Sequence, residues 1–235
     1  LFPFFDSTII LLLPALLLSF YAQHKVGSTF RKYSNVASQK GMTGAEVAAQ
    51  LLAASGIRDV KIEPVPGQLS DHYDPRDKVV RLSEAVYNQR SLAALGVAAH
   101  EVGHAIQHNE EYGPLAFRTG VLPVASIGSN AAMPLFMAGF FISTMDGMGE
   151  FGMWLLWAGI LLFSFAVLFQ LVTLPVEFNA SSRAIALLVE QRILSEQETV
   201  PAKKVLDAAA LTYVAAAVMA LLNLLRFIMI ARGRR

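Results

Sequence analysis

Three of the chain's five histidines fall in one short stretch, "AAHEVGHAIQH", from Ala98 to His108. His100 and His104 are four residues apart, and Glu101 stands beside the first. On a helix, positions i and i+4 differ by about 40° around the axis and about 6 Å along it. Two imidazoles so placed can reach one metal ion. Glu101 is turned by about 100° from His100. It is too far round to join the same ligand set easily, but it can hold a water beside it. This is the H-E-x-x-H arrangement, two histidine ligands and a glutamate general base. Zinc, one ion per chain, suits such nitrogen and oxygen donors. The chemistry it predicts is peptide hydrolysis by a metal-activated water whose proton Glu101 accepts. A bare H-E-x-x-H also arises by chance, and a histidine stripe can decorate a helix. Here the stretch reads as helix on independent grounds. Ser91 can cap it, and the small residues Ala98, Ala99, Gly103 and Ala105 let other elements approach closely.

A catalytic zinc takes three protein ligands and keeps one position open. His108 continues the stripe but lies two turns from His100, about 12 Å along a straight helix. It is expected near the helix end in a supporting role, not as a ligand. A longer pattern, with glycine and then a third histidine after the second, is absent: Gln107 and Glu110 occupy those positions. Glu110 and Glu111 read as a solvated acidic turn. Glu177, in "TLPVEFNASSRAIALL", directly follows an apolar run, and Pro175 can open a helix with Glu177 in its first turn. Position alone leaves Glu177 as either a ligand or a solvated flank. His72, in "DHYDP", can polarise a carbonyl or orient a ligand, or it is a surface histidine in a turn. Tyr73 and Tyr112 are candidates to steady an oxyanion. Asn179 is a further supporting candidate, and Arg183 is expected to face headgroups or solvent.

The elements that must carry these residues are largely apolar. Only 16% of the 235 residues are charged, against about 25% in soluble domains, and 54% are hydrophobic. That deficit predicts a membrane protein. Four segments reach the roughly 20 residues that span a bilayer: Phe2 to Ala22, Val121 to Ser143, Phe151 to Pro175 and Ala208 to Ile230. The first has Asp6 near its front and lacks a basic start, so it reads as an uncleaved anchor. Asn223 and Arg226 make the fourth the weakest span, and Arg226 must find a partner or snorkel. The net charge of +1, with no basic-aromatic interleaving, gives no reason to expect nucleic acid. The absence of cysteine removes thiolate ligands and a cysteine nucleophile.

A region of soluble character runs from about Lys25 to Tyr112. "MTGAEVAAQLLAASG" reads as a helix, with Thr43 and Glu46 as a capping box and Gly56 as its stop. "VKIEPV" reads as a strand. "DHYDPRDKVVRL" reads as a turn at Asp74-Pro75 and Asp77, then a strand that is either plain structure, the reading favoured for each side chain, or part of a sheet edge that holds a substrate backbone. The domain reading is therefore an anchor at 1–23, a soluble α+β part at 24–112 and a membrane hairpin at 113–175. A third-ligand helix and linker follow at 176–206, then a C-terminal apolar helix at 207–235. The fold class is a mainly α membrane protein, with about four transmembrane helices and a small α+β zincin-like catalytic unit. Lys25, Arg31, Lys32 and Lys40 follow the first segment, whereas the loop "TMDGMGE" carries acids and no base. The positive-inside rule puts the histidine helix on the cytoplasmic side of the cell membrane. The tail "ARGRR" disagrees with that orientation if all four segments span.

"AAHEVGHAIQH", "DHYDPRDKVVRLSE" and "LPVEFNASSRA" together resemble the bacterial neutral zinc metallopeptidases of the YugP-like membrane family. The likeness covers nearly the whole chain. More distantly, the order of elements resembles the HtpX-type and CAAX-prenyl-type membrane metallopeptidases, whose third zinc ligand is a glutamate in an E-x-x-x-D pattern on a later helix. The resemblance implies that Glu177 is that ligand. Ser181 stands where the aspartate would be, so a second carboxylate is not carried over. The expected function is a membrane-embedded zinc endopeptidase acting on membrane-associated proteins or peptides in the lipid bilayer. The alternative is a non-catalytic membrane scaffold or adaptor that a metal merely stabilises.

Overall fold

A computed structural model describes residues 7–233; Asp6 and the last two arginines of the tail, Arg234 and Arg235, lie outside the described residues. A short 3-10 turn, Ser7–Leu12, leads into helix α1, Leu13–Ser34. Helix α2, Gly44–Ala54, and three strands follow: β1 Lys61–Val65, β2 His72–Asp74 and β3 Val79–Ser83. Helices α3 Leu92–Asn109, α4 Gly113–Ile142, α5 Gly149–Glu190 and α6 Glu196–Arg232 complete the chain. The protein is thus mainly helical with a small α+β part. Four of its helical stretches, Ser7–Ser34, Gly113–Ile142, Gly149–Glu190 and Glu196–Arg232, are long and apolar enough to cross a membrane.

The chain divides into two compact units. One comprises 7–21, Phe117–Leu174 and 213–233 of the described residues. Its core holds Phe136, Phe140, Leu156, Ile160, Phe227 and Ile230. Small residues let its helices touch backbone to backbone, as membrane helices commonly do. A Cβ at Gly159 would lie 2.8 Å from both the Ala132 carbonyl oxygen and the Phe136 nitrogen. Arg226, expected to need a partner, is buried, and its Nε donates to Thr8 Oγ1 at 3.3 Å.

The other unit comprises Ala22–Ala116 and Pro175–Thr212 and contains the sheet and α3. Its core joins Val47 and Leu51 of α2, Val80 and Leu82 of β3, Leu95, Ala98 and Val102 of α3, Ala184 and Leu188 of α5, and Leu206 of α6. Local chemistry sets the ends of its elements. Thr43 and Glu46 form the reciprocal capping box at α2, and Ser91 Oγ accepts from the Ala94 N–H at the start of α3. Gly56, just past α2, has φ +74°, the left-handed conformation that glycine adopts without a Cβ penalty.

Three expectations change here. The sheet order is β1-β3-β2, with β1 parallel and β2 antiparallel to β3. "KVVRL" is therefore in the central strand, with β1 paired along Val79–Ser83 and β2 paired at Val79–Arg81, and is not an edge strand. Val79, Val80, Leu82 and Ser83 are all buried, and Val80 and Leu82 pack in one core with residues of α2 and α3. His72 and Tyr73 lie in edge strand β2, not in the turn. The turn starts at Asp74, whose Oδ1 accepts from the Arg76 N–H at 2.9 Å. Finally, Pro175 opens no new helix; α5 runs through it from Gly149 to Glu190. Proline forfeits one backbone bond inside a helix, a loss tolerated in long apolar helices where neighbouring groups compensate.

Candidate metal centre

Helix α3 supplies His100, Glu101 and His104; Glu177 comes from the later part of α5. The four residues belong to the same compact unit. Small residues let the two helices approach. A Cβ at Gly103 would lie 2.6 Å from the Ala180 carbonyl oxygen and 3.1 Å from the Ala180 Cα. Only glycine fits that crossing without displacement, and it stands one residue before His104.

At this crossing Glu177 Oε2 lies 3.3 Å from His100 Nε2 and 3.5 Å from His104 Nε2. One donor atom from each residue falls within 4.8 Å of the others, so the three can hold a metal ion. The spacing fits zinc. Ligands about 2.0–2.1 Å from a tetrahedral centre are about 3.3 Å apart. Glu177 is buried, while the imidazoles keep 14% and 13% of their side-chain surface exposed.

The far sides of both rings are occupied. Gln107, fully buried, receives His104 Nδ1 on its Oε1 at 3.0 Å. Its Nε2 donates to the Val176 carbonyl at 2.8 Å and to Asn179 Oδ1 at 2.9 Å. Asn179 Oδ1 also accepts from Arg183 Nε at 2.8 Å. The donor sense of this chain is fixed from its outer end. Arg183 has only donors, so Asn179 presents oxygen, Gln107 presents its NH2 to that oxygen, and the Gln107 oxygen faces His104. Nδ1 of His104 must then carry the hydrogen, which leaves the Nε2 lone pair for the metal. His100 Nδ1 pairs with Ser181 Oγ at 3.1 Å. Ser181 thus stands behind His100 where the resembled pattern has a carboxylate.

Burial pushes the Glu101 carboxyl above the ordinary carboxylate range. The neighbouring His100 and His104 pull it down, and Asp71 and Glu177 push it further up. Asp71 is tied to the end of β3, where its carboxylate accepts from Ser83 N at 2.7 Å and Ser83 Oγ at 3.0 Å.

The remaining candidates are engaged in other contacts. His108 Nδ1 bonds the Tyr73 hydroxyl at 2.8 Å, beside a cavity of about 200 Å³ that Asp59 and Lys78 also line. His72 is exposed, with Nδ1 2.8 Å from the Ser70 carbonyl oxygen. Tyr112 lies under the Arg183 guanidinium, 5.9 Å from ring centroid to Cζ. Arg183, expected to face headgroups or solvent, instead pairs with Glu110 at 2.7 Å. Gln107 and Ser181 had no assigned role in the sequence. Their signal was periodic: Gln107 follows His104 by three residues, and Ser181 follows Glu177 by four, so each shares a helix face with a ligand candidate.

Comparison with known proteins gives a family. A family model described as "Putative neutral zinc metallopeptidase" matches residues 8–232. The chain is 52% identical over 222 residues to "Putative membrane protease YugP" of Bacillus subtilis (strain 168), covering 94% of this chain and 95% of that protein. No solved structure matches the chain. A match along almost its whole length shows that the chain belongs to the family described as putative neutral zinc metallopeptidases.

Proposed function

We propose that the chain is a multi-pass cell-membrane endopeptidase that holds one zinc ion through His100, His104 and Glu177 and uses Glu101 as its general base. The observation that carries this reading is the meeting of Glu177 Oε2 with both Nε2 atoms, at 3.3 and 3.5 Å, beside a buried glutamate. A zinc ion bound there supplies Lewis acidity toward a peptide carbonyl and makes water nucleophilic near neutral pH. The protein's own groups do the rest. The Gln107 chain holds His104 in the ligating tautomer, and Ser181 orients His100. The Glu101 carboxylate accepts the water's proton and returns it to the leaving amine.

Substrates are membrane-associated proteins or peptides. That reading is supported by the four long apolar helices and by the name of the Bacillus subtilis relative. The lysines and arginines that follow the first apolar segment favour a cytoplasmic site. A metal-stabilised scaffold would have no use for Glu101, a carboxylate outside the ligand set.

The test is proteolysis by the full chain in lipid nanodiscs, read with fluorescent casein. Cleavage should stop when a chelator removes the metal and return on adding zinc. Cleavage that continues without metal overturns the zinc mechanism. A chain that binds zinc and melts on chelation, yet cleaves nothing, supports the scaffold.

A further inference from the structure

The lysines that mark orientation in the sequence also build a groove. Between α1 and the start of α6 lies an open cavity of about 560 Å³. Helix α1 lines it with Lys25, Ser28, Thr29 and Lys32. Their spacing of three, four and seven residues is a single helix face. Helix α6 lines it with Lys204, Asp207, Ala208 and Leu211, at the same spacing. Two helices thus turn matching stripes toward one space, all of it within the unit that contains the sheet.

The charge in this groove is one-sided. Lys25, Lys32 and Lys204 make no ion pair among the described residues. The carboxylate that faces them, Asp207, is already held by Lys203, whose Nζ lies 2.9 and 2.8 Å from its two oxygens. Three ammonium groups remain, with the Ser28 and Thr29 hydroxyls between the two on α1. Such a set suits a compact oxyanion that can take several donors at once.

The position of the groove selects the source of that oxyanion. On α1, Lys25 comes three residues after the apolar run that ends at Ala22. On α6, Lys204 comes four residues before the apolar run that begins at Ala208, and Ala208 and Leu211 of that run line the groove themselves. Basic side chains thus stand beside the start of an apolar run, a juxtaposition that suits a phospholipid with its headgroup at the membrane surface. Basic pockets between membrane helices bind acidic headgroups for this reason. We propose that the groove between α1 and α6 binds the phosphate of an anionic membrane lipid, whose acyl chains follow Ala208 and Leu211. The site is independent of the zinc centre and of the peptidase reading.

The experiment is native mass spectrometry of the full chain released from phosphatidylcholine nanodiscs that contain a minor share of phosphatidylglycerol. The wild type should retain phosphatidylglycerol in preference to phosphatidylcholine. The triple variant Lys25→Gln, Lys32→Gln, Lys204→Gln should lose that preference by about a hundredfold, at about fivefold per lysine. The corresponding triple arginine variant should keep it. Arg31→Gln, on the same helix but outside the groove, should also keep it. If the triple glutamine variant does not fold, Lys25→Gln and Lys204→Gln singly should each show the fivefold loss. Retention by the glutamine variants, or an equal loss with Arg31→Gln, overturns the site. Displacement of the lipid by inorganic phosphate at matched concentration overturns the lipid assignment, because the site would then take free phosphate.

Discussion

Gln107 and His104 form one side of the candidate metal centre: the amide oxygen receives the imidazole Nδ1 hydrogen, with 3.0 Å between the heavy atoms, and no part of Gln107 is exposed. The same amide holds the Val176 carbonyl, one residue before Glu177. One side chain therefore aligns a proposed ligand on α3 with the backbone beside a proposed ligand on α5. Gln107→Leu should weaken zinc binding by about 10–100-fold, the usual cost of losing such a partner. Zinc affinity by competition with a chelator of known strength decides this. Equal affinity in wild type and Gln107→Leu would remove Gln107 from the account.

Gly103 sets how close the two ligand-bearing helices come. Gly103→Ala puts a methyl group 2.6 Å from the Ala180 carbonyl oxygen, a backbone atom that cannot swing aside. Overpacking of this kind costs about 1–3 kcal/mol, and here it also draws His100 and His104 away from Glu177. Gly96→Ala on the same helix is the control, because its nearest neighbour would be Ala202 Cβ at 3.6 Å. The melting temperature and bound zinc should both fall for Gly103→Ala and hold for Gly96→Ala. Equal behaviour of the two would mean that the crossing does not assemble the site.

Burial, reinforced by the charges of Asp59 and Asp74, pushes the Tyr73 hydroxyl from 10.0 up to about 12. A folded-state value above the unfolded one means that the folded chain holds this proton more tightly. The stability it contributes is complete below about pH 10 and is lost as pH rises toward 12. Over that window Tyr73→Phe should lose less stability than the wild type in denaturant titrations. Removing a negative neighbour lowers a phenol's pKa, so Asp59→Asn should bring its ultraviolet ionisation to lower pH. An unchanged titration in Asp59→Asn would contradict the electrostatic reading.

The histidine helix was legible because its signals are local. The i,i+4 spacing of His100 and His104 and the Ser91 cap depend only on the helix that contains them, and both appear in the structure. The same holds for the capping box of α2 and the apolar lengths of the four long helical stretches. Pairing across the chain was less legible. "KVVRL" reads as a strand, but its central place depends on β1 and β2 reaching it from both sides. Glu177 beside an apolar run looked like either a ligand or a flank until resemblance to a family favoured one. Gln107 carries no motif, since a buried amide becomes informative only when Asn179 and Val176 are known to face it. Pro175 suggested a helix start because the sequence does not show what compensates its missing N–H.

The third ligand can be separated from its nearest rival. Glu177 Oε2 lies against both imidazole Nε2 atoms, whereas His108 is engaged with Tyr73. Glu177→Ala should reduce zinc retention through gel filtration severely, and His108→Ala should leave most of it. The reverse order would move the site along α3.

The most direct test of the central claim measures bound zinc and casein cleavage together in the wild type and in Glu101→Gln, with the full chain in nanodiscs. Bound zinc should be equal in both, because Glu101 is outside the ligand set. Cleavage should be lower by about 10²–10⁴-fold in the variant, the usual worth of a general base. Equal zinc with equal cleavage would contradict the claim, for the buried carboxylate beside the metal centre would then play no part in the chemistry.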